Sequence, residues 1–253
     1  MKVSVIVRSK NNRETIESCI LGLLTQSRLP DEIIVVDNST DGTDIIAENL
    51  LKGSGVKYKI IKQDKQGLGY ATHLGITNSS GDIIITTDGD TVLSKDVIKH
   101  TVEALSNKDV TVVGATSYPI RRSIVSAIFT PFTAEKFAKS PCGRFMAFRK
   151  DDYVLTGGLM VNGLHHGYYE DHIIASKLKE LGRAVILEDP VFTEIPTTTQ
   201  KIVVGKMVSM GLIATGVVDA ALNKRYYIDI PLMVAGSIFL YFIYKKRGTL
   251  GPS

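Results

Sequence analysis

The chain has 253 residues, 44% of them hydrophobic, enough for one large domain or a domain with an appendage, and this composition argues against disorder. Its net charge of +4, from 30 basic and 26 acidic residues, is too weak to argue for a nucleic-acid partner. The two cysteines, Cys19 and Cys142, stand in no metal-ligand spacing and read as reduced packing residues of a cytosolic domain.

Met1-Lys2 leads directly into a first strand, Lys2–Val7, so no signal peptide is expected. After the polar loop Arg8-Ser9-Lys10-Asn11-Asn12, a helix is predicted from about Glu14 to Leu24, with Ile16, Cys19, Ile20, Leu23 and Leu24 on one face. Ile33–Val36 reads as a buried strand ending in Asp37, and Asp37–Gly42 carries turn residues. Thr43 is expected to cap a helix bearing Ile45, Ile46 and Leu50. A third strand, Lys57–Lys62, is followed by the polar loop Gln63–Gly69, a short helix around Tyr70–Thr77 and a fourth strand, Ile83–Thr87. This alternation with short connections predicts parallel strands joined by right-handed crossovers.

Beyond Asp90 the pattern loosens. Ser94 is expected to cap a helix running through Val97, Ile98, Val102 and Leu105, and Val110–Ala115 reads as a strand. Tyr118 to Cys142 is expected to be a mobile loop with some helix. A strand over Arg144–Arg149, a turn at Gly157-Gly158, a helix from Glu170 to Leu181 stopped by Gly182, and a last strand Ala184–Leu187 complete the domain.

Asp88-Gly89-Asp90 draws the chemistry. A short apolar, β-branched run is read as buried on both faces, and two acids at its end need a partner, a metal or a ligand. In open α/β sheets, ligands bind beyond the carboxyl ends of the strands. In an extended segment, residues two apart point to the same side, so both carboxylates can face one ligand, with Gly89 allowing close approach. Two such oxygen donors suit Mg2+ or Mn2+. A solvated Asp-Gly turn is the plain alternative.

Several blocks resemble family 2 glycosyltransferases with the GT-A fold. They are Val3–Val7 with its Arg-Ser-Lys-Asn loop, Glu32–Thr43, Ser80–Asp90, Gly143–Arg149 with Gly157-Gly158, and Tyr169-Glu170-Asp171. They occur in family order over about residues 2–196. The resemblance implies an α/β fold, a Rossmann-like, mostly parallel mixed sheet flanked by helices. It also implies a UDP- or GDP-sugar donor. Asp37 would then hold the base or ribose, with Arg8, Lys65 and Gly67 lining the nucleotide pocket. Asp88 would face ribose and diphosphate and share the metal with Asp90, and Asp171 would be the general base. Family members often carry Asn or Arg-Asn around Ala71-Thr72-His73, where this chain has neither. Without the family, Glu170 and Asp171 are acids favoured by the dipole of a first helical turn. Helical phase sets them on either side of the apolar stripe and does not choose between them. His165-His166 reads as a loop or surface pair, since adjacent histidines do not easily share one metal.

The activity expected is inverting, metal-dependent transfer of a sugar to a saccharide hydroxyl or a lipid-linked phosphate acceptor. One alternative is a haloacid-dehalogenase-like phosphatase using Asp88 and Asp90, although three strand–helix units precede the motif here. Another is an inactive membrane scaffold. Composition shifts after Pro196, dividing a domain over residues 1–197 from a helical region over 198–253. Ile202–Leu222 and the 17-residue stretch Ile228–Tyr244, followed by Lys245-Lys246-Arg247, read as membrane-associated, the second at the low end of a spanning length. The alternative is a soluble helical hairpin that packs or forms a homo-oligomer. The catalytic domain is expected on the cytoplasmic side.

Overall fold

The computed structural model describes residues 1–65, 67–119, 141, 144–158 and 170–193. The chain divides into two compact units, Met1–Glu194 and Ile195–Ser253, and the described residues all lie in the first. The expected boundary at 197, both apolar tail segments, His165-His166, Cys142 and nearly all of the loop expected after Tyr118 lie outside the described residues. Among the described residues no helix is long and apolar enough to cross a membrane.

The strands are β1 (Val3–Ser9), β2 (Glu32–Asp37), β3 (Lys57–Lys62), β4 (Ile83–Asp88), β5 (Thr91–Leu93), β6 (Val110–Pro119), β7 (Met146–Arg149) and β8 (Arg183–Thr193). The helices are α1 (Ile16–Leu24), α2 (Thr43–Leu51), α3 (Leu68–Thr77), α4 (Val97–Ser106), α5 (Lys150–Leu155) and α6 (Glu170–Leu181). The strands form one sheet in the order β3-β2-β1-β4-β7-β6-β8-β5. The first four are parallel, as the strand–helix alternation predicts. β7 turns antiparallel against both β4 and β6, while β6 and β8 run parallel to each other.

Period-two alternation sorts the β-branched runs between two cores. Val3, Val5, Val7, Ile33, Val35, Ile83 and Ile85 pack with α1, α2 and α4. Ile6, Ile34, Val36 and Ile84 pack on the other face with α3, α5 and α6. Every residue of β1 and β2 is buried, and in β2 this matches the continuous apolar run Ile33–Val36. The edge strand β3 is only partly buried and carries Lys57, Lys59 and Lys62, charges that discourage edge-to-edge pairing.

Gly75 lets α3 lie close on β1, because a methyl group there would run into Ile6. Overpacking costs about 1–3 kcal/mol, more than the helix-propensity gain of up to about 1 kcal/mol. Gly75→Ala is therefore expected to destabilise the domain by about 1 kcal/mol, read as a lower urea midpoint at unchanged slope.

Several local expectations are corrected. Thr43 is the first residue of α2 rather than its cap. Its backbone N–H and hydroxyl both donate to Asp41, while Gly42 turns the chain at φ 86°. The buried face of α2 is Thr43, Ala47 and Leu51, and Ile45 is exposed. Asp96, not Ser94, precedes α4. The short strand β5 and helix α5 carry too few residues for a periodic signal. β6 and β8 run well past Ala115 and Leu187, and their pairing crosses an irregularity between Ala115 and Thr116. An apolar-run criterion stops at the polar residues Thr116 and Glu188.

Candidate active site

The site grows from strand register. β1 pairs in parallel with β4 so that Arg8 stands beside Asp88, and with β2 so that Ser9 stands beside Asp37. The carboxyl ends of three buried strands therefore deliver one guanidinium and two carboxylates to one edge of the sheet. Alternation splits them between the faces. Arg8 and Asp88 follow Ile6 and Ile84 towards α3 and α6, whereas Ser9 and Asp37 follow Val7 and Val35 towards α1 and α2.

Arg8 is 4% exposed. Its Nη2 donates to Asp88 Oδ1 at 2.5 Å, and its Nη1 to Glu170 Oε1 at 2.7 Å and to Thr72 Oγ1 at 3.2 Å. Burial alone would lower the Arg8 pKa, but the charges of Asp88 and Glu170 raise it, so the guanidinium stays charged. Glu170, the first residue of α6, is 2% exposed. Burial raises its carboxyl above the ordinary value, against the pull of Arg8. Asp171 follows as a half-buried residue and accepts the His172 backbone N–H at 2.8 Å. The environment thus separates two acids that helical phase alone leaves equivalent: Glu170 turns inward to Arg8, and Asp171 keeps contact with solvent.

Asp88-Gly89-Asp90 forms a turn between β4 and β5 rather than an extended segment. Gly89 N–H donates to Arg8 O at 2.8 Å, and Thr15 Oγ1 donates to Gly89 O at 3.0 Å. A Cβ at Gly89 would sit 3.0 Å from Asn12 Oδ1 and 3.1 Å from Ser9 Cβ, so the close approach made there is to the loop after β1. Asp90 is pushed up to about 6, first by burial and then by the neighbouring Asp88 charge. Weak contacts from the hydroxyls of Thr91 at 3.3 Å and Thr193 at 3.4 Å, together with the positive charge of Arg144, offset this only in part. Thr87 Oγ1 donates to Arg144 O at 2.8 Å and holds that residue beside β4. The Cys19 thiol sits 3.6 Å from Asp88 O, and burial pushes its pKa far up, consistent with a packing role.

Two adjacent, partly desolvated carboxylates, one of them under-compensated, fit a hard divalent cation. Among the described residues no group of three or more His, Cys, Asp or Glu side chains could hold a metal. A cation at Asp88 and Asp90 would therefore draw other ligands from water and phosphate oxygens, as Mg2+ and Mn2+ commonly do.

Asp37 is fully buried, and both its oxygens are engaged. Oδ1 accepts from the hydroxyls of Ser9 and Ser39, each at 2.5 Å; Oδ2 accepts from Ser39 N–H at 3.1 Å and Lys62 Nζ at 2.9 Å. Burial raises its pKa, but these donors outweigh it and hold the carboxyl below the usual value. Asp37 thus anchors the loop after β2, with Lys62 bridging on to Asp44 at 2.7 Å. Gly67 opens α3 at φ 129°, which favours glycine, and its carbonyl accepts from Gln63 Nε2 at 2.9 Å. Lys65 is exposed, with Nζ 5.7 Å from the centre of the Tyr70 ring, and Tyr70 donates to Asp64 at 2.9 Å. The structure brings Arg8, Asp88, Glu170 and Thr72 into direct contact. It leaves Lys65 on the outer side of its loop, with Tyr70 as its neighbour. Thr72, Glu170, Arg144 and Thr193 are the site residues that sequence reasoning did not assign.

A parallel half-sheet ending in acids, joined to an antiparallel strand and flanked by helices, is the architecture of the GT-A class. Residues 4–157 match the model of the glycosyl transferase family 2. The chain belongs to that family. Among curated relatives it is 32% identical over 115 residues to an uncharacterized glycosyltransferase, YfnE, of Bacillus subtilis, covering 45% of this chain and 29% of that protein. It is 31% identical over 167 residues to the dolichol-phosphate mannosyltransferase of Pyrococcus furiosus, covering 60% of this chain and 47% of that one. The chain thus spans less than half the length of each of these relatives. Among solved structures it resembles a mannosyltransferase of Pyrobaculum calidifontis in complex with GDP-Man and Mn2+, with TM-score 0.62 and 20% identity, covering 100% of this chain and 76% of that one. It also resembles S. aureus TarS 1-349 in complex with UDP-GlcNAc, with TM-score 0.60 and 15% identity, covering 92% and 70%.

Proposed function

We propose that this chain transfers a sugar, with inversion, from a UDP- or GDP-sugar to a saccharide hydroxyl or a lipid-linked phosphate acceptor, with Mg2+ or Mn2+ as cofactor. The observation that carries this reading is the link, through Arg8, of Asp88 to Glu170 in the first turn of α6 at the carboxyl edge of the sheet, with the neighbouring Asp90 pushed up to about 6. A bound divalent cation would supply positive charge to the diphosphate as it leaves. Asp88 and Asp90 would hold that cation. Asp171, half-exposed beside the buried Glu170, would take the acceptor's proton from the side opposite the leaving group, so that a single displacement inverts the anomeric centre. Asp37 and Gly67 would shape the nucleotide side through the loops they hold, and Lys65 would meet the nucleotide from outside. The chain and the relatives in which donors and Mn2+ are bound share a fold, which supports a nucleotide-sugar donor without selecting the base.

Thermal shift against a panel of nucleotide sugars with and without Mn2+ or Mg2+ tests this. A ligand present at 100 times its Kd stabilises the native state by about 2.7 kcal/mol through mass action. UDP- or GDP-sugars should raise the midpoint, and more so with metal. Absence of any donor response, with hydrolysis of simple phosphomonoesters, would favour the phosphatase chemistry instead.

Membrane association of the region beyond residue 197, with the catalytic domain on the cytoplasmic side, is part of the same proposal. It is supported by the apolar sequences Ile202–Leu222 and Ile228–Tyr244 and the basic residues that follow them. Flotation with phospholipid vesicles should recover the full chain in the lipid fraction. Recovery only in the soluble fraction would favour a helical hairpin used for packing or homo-oligomer formation.

A further inference from the structure

Arg8 spends its guanidinium unusually. The planar fork commonly grips one carboxylate with two parallel bonds. Here it splits, one nitrogen to Asp88 on β4 and the other to Glu170 at the start of α6, with Thr72 of α3 also reached by Nη1. The two carboxylates lie 80 and 162 residues away along the chain, so the bridge exists only in the folded protein. As a device for stability alone it is poor. One buried cation facing two acids leaves excess negative charge, and such buried arrangements often gain nothing over apolar packing.

The geometry points to a positioning role. We propose that Arg8 fixes the first turn of α6 against the end of β4, and through Glu170 sets where Asp171 stands relative to Asp88. The proposal rests on the transfer reading for its consequence but not for its geometry. Ile174, Ala175 and Leu178 pack α6 onto the sheet from its second turn onwards. Arg8 acts at the first turn, through Glu170, the residue next to Asp171. Asp171 also lies close enough for its charge to act on Arg8. The same guanidinium therefore links the carboxylate proposed to face the donor with the helix end that carries the proposed base. Lysine would keep the charge but lacks the fork that reaches two acids at once.

Glu170→Gln and Arg8→Lys test this, singly and together. Glutamine keeps the shape and an accepting oxygen but removes the charge that draws Glu170 to Arg8. In a transfer assay at saturating metal, Glu170→Gln should lower kcat by about 10- to 100-fold, as misplacement of a reacting group does. Donor KM should change by less than about 3-fold, because Glu170 is not placed against the donor. Arg8→Lys should lower kcat comparably, and the double variant should be no slower than the worse single one, because both remove one link. Hydrogen exchange at the amides of Ile174 and Ala175, followed on the ligand-free full chain, should accelerate by about tenfold in either variant while the amides of β1 and β2 keep their protection. Wild-type kcat in Glu170→Gln, additive losses, or a loss confined to KM would overturn the proposal. Should the wild-type chain turn over no nucleotide sugar, the transfer reading fails on its own. The exchange arm then still decides: unchanged protection of α6 in both variants overturns the tether, and loss confined to α6 supports it.

Discussion

Replacing Asp171 with asparagine is expected to lower the rate of sugar transfer by about 10²- to 10⁴-fold, the range for loss of a positioned general base. Donor binding should change little. A base must come within about 3 Å of the proton it takes, directly or through one water. Glu170 is 2% exposed and bonded to Arg8 at 2.7 Å, so an acceptor would have to displace a buried guanidinium to reach it. Asp171 is only half-buried, and one of its oxygens accepts the backbone N–H of His172. Asparagine preserves the shape and the hydrogen-bond acceptor there while removing the basic lone pair, so folding and donor binding serve as internal controls. Single-turnover transfer together with donor Kd by calorimetry makes the measurement. A wild-type single-turnover rate in Asp171→Asn would remove this residue as the base. A loss in Glu170→Gln exceeding that of Asp171→Asn would reverse the roles of the two acids.

That choice shows where the sequence is readable and where it is not. The parallel half of the sheet is legible because its signal is local: Ile33–Val36 and Ile83–Thr87 are short β-branched runs, each ending in an acid, and parallel pairing follows from the helices between them. The meeting of strand ends follows in turn. What Arg8 does is not legible. In the sequence it is a basic residue at the head of a polar loop, read as part of a nucleotide pocket, but its partners are acids 80 and 162 residues away. Around Ala71-Thr72-His73, where Asn or Arg-Asn was the expected pattern, α3 carries Thr72, and a guanidinium from β1 reaches its hydroxyl. No pattern within α3 could reveal that. Thr193 was lost for another reason. It approaches Asp90 only because β8 continues through Glu188-Asp189-Pro190, residues that end any apolar-run criterion. Fold follows from periodic, local preferences. The pairing of charges depends on contacts between distant segments, each unremarkable alone.

The second large effect concerns Asp90 and pH. Its folded-state pKa of about 6 lies above its ordinary 3.8, so between these values the native state holds a proton that the unfolded chain has released. Stability from this group is therefore highest below about pH 4, falls as pH rises through 6, and levels off above. The difference of about 2 units corresponds to about 3 kcal/mol, taken as an upper figure because Asp90 keeps some solvent contact. A divalent cation held by Asp88 and Asp90 would reverse the penalty by supplying positive charge where negative charge is under-compensated. Proton and cation then compete for the same carboxylate, so Mn2+ affinity should weaken by up to tenfold per pH unit below about pH 6 and flatten above it. Asp90→Asn should act in two opposite ways. At pH 8 without metal it should raise the unfolding free energy, by up to about 3 kcal/mol, because a desolvated charge beside Asp88 is gone. It should also abolish the thermal shift produced by Mn2+ and nucleotide sugar, and with it transfer. Stability of an acid-to-amide variant rising while its metal response vanishes is the signature of a carboxylate kept for binding rather than for folding. Denaturant titrations of both proteins at pH 5 and pH 8, each with and without Mn2+, make the measurement. A destabilised Asp90→Asn at pH 8, or a variant whose midpoint still rises with Mn2+, would assign the cation to other groups. The gain from removing the charge should shrink at pH 5, where Asp90 is already largely protonated, and that pH dependence separates relief of charge from any incidental improvement in packing.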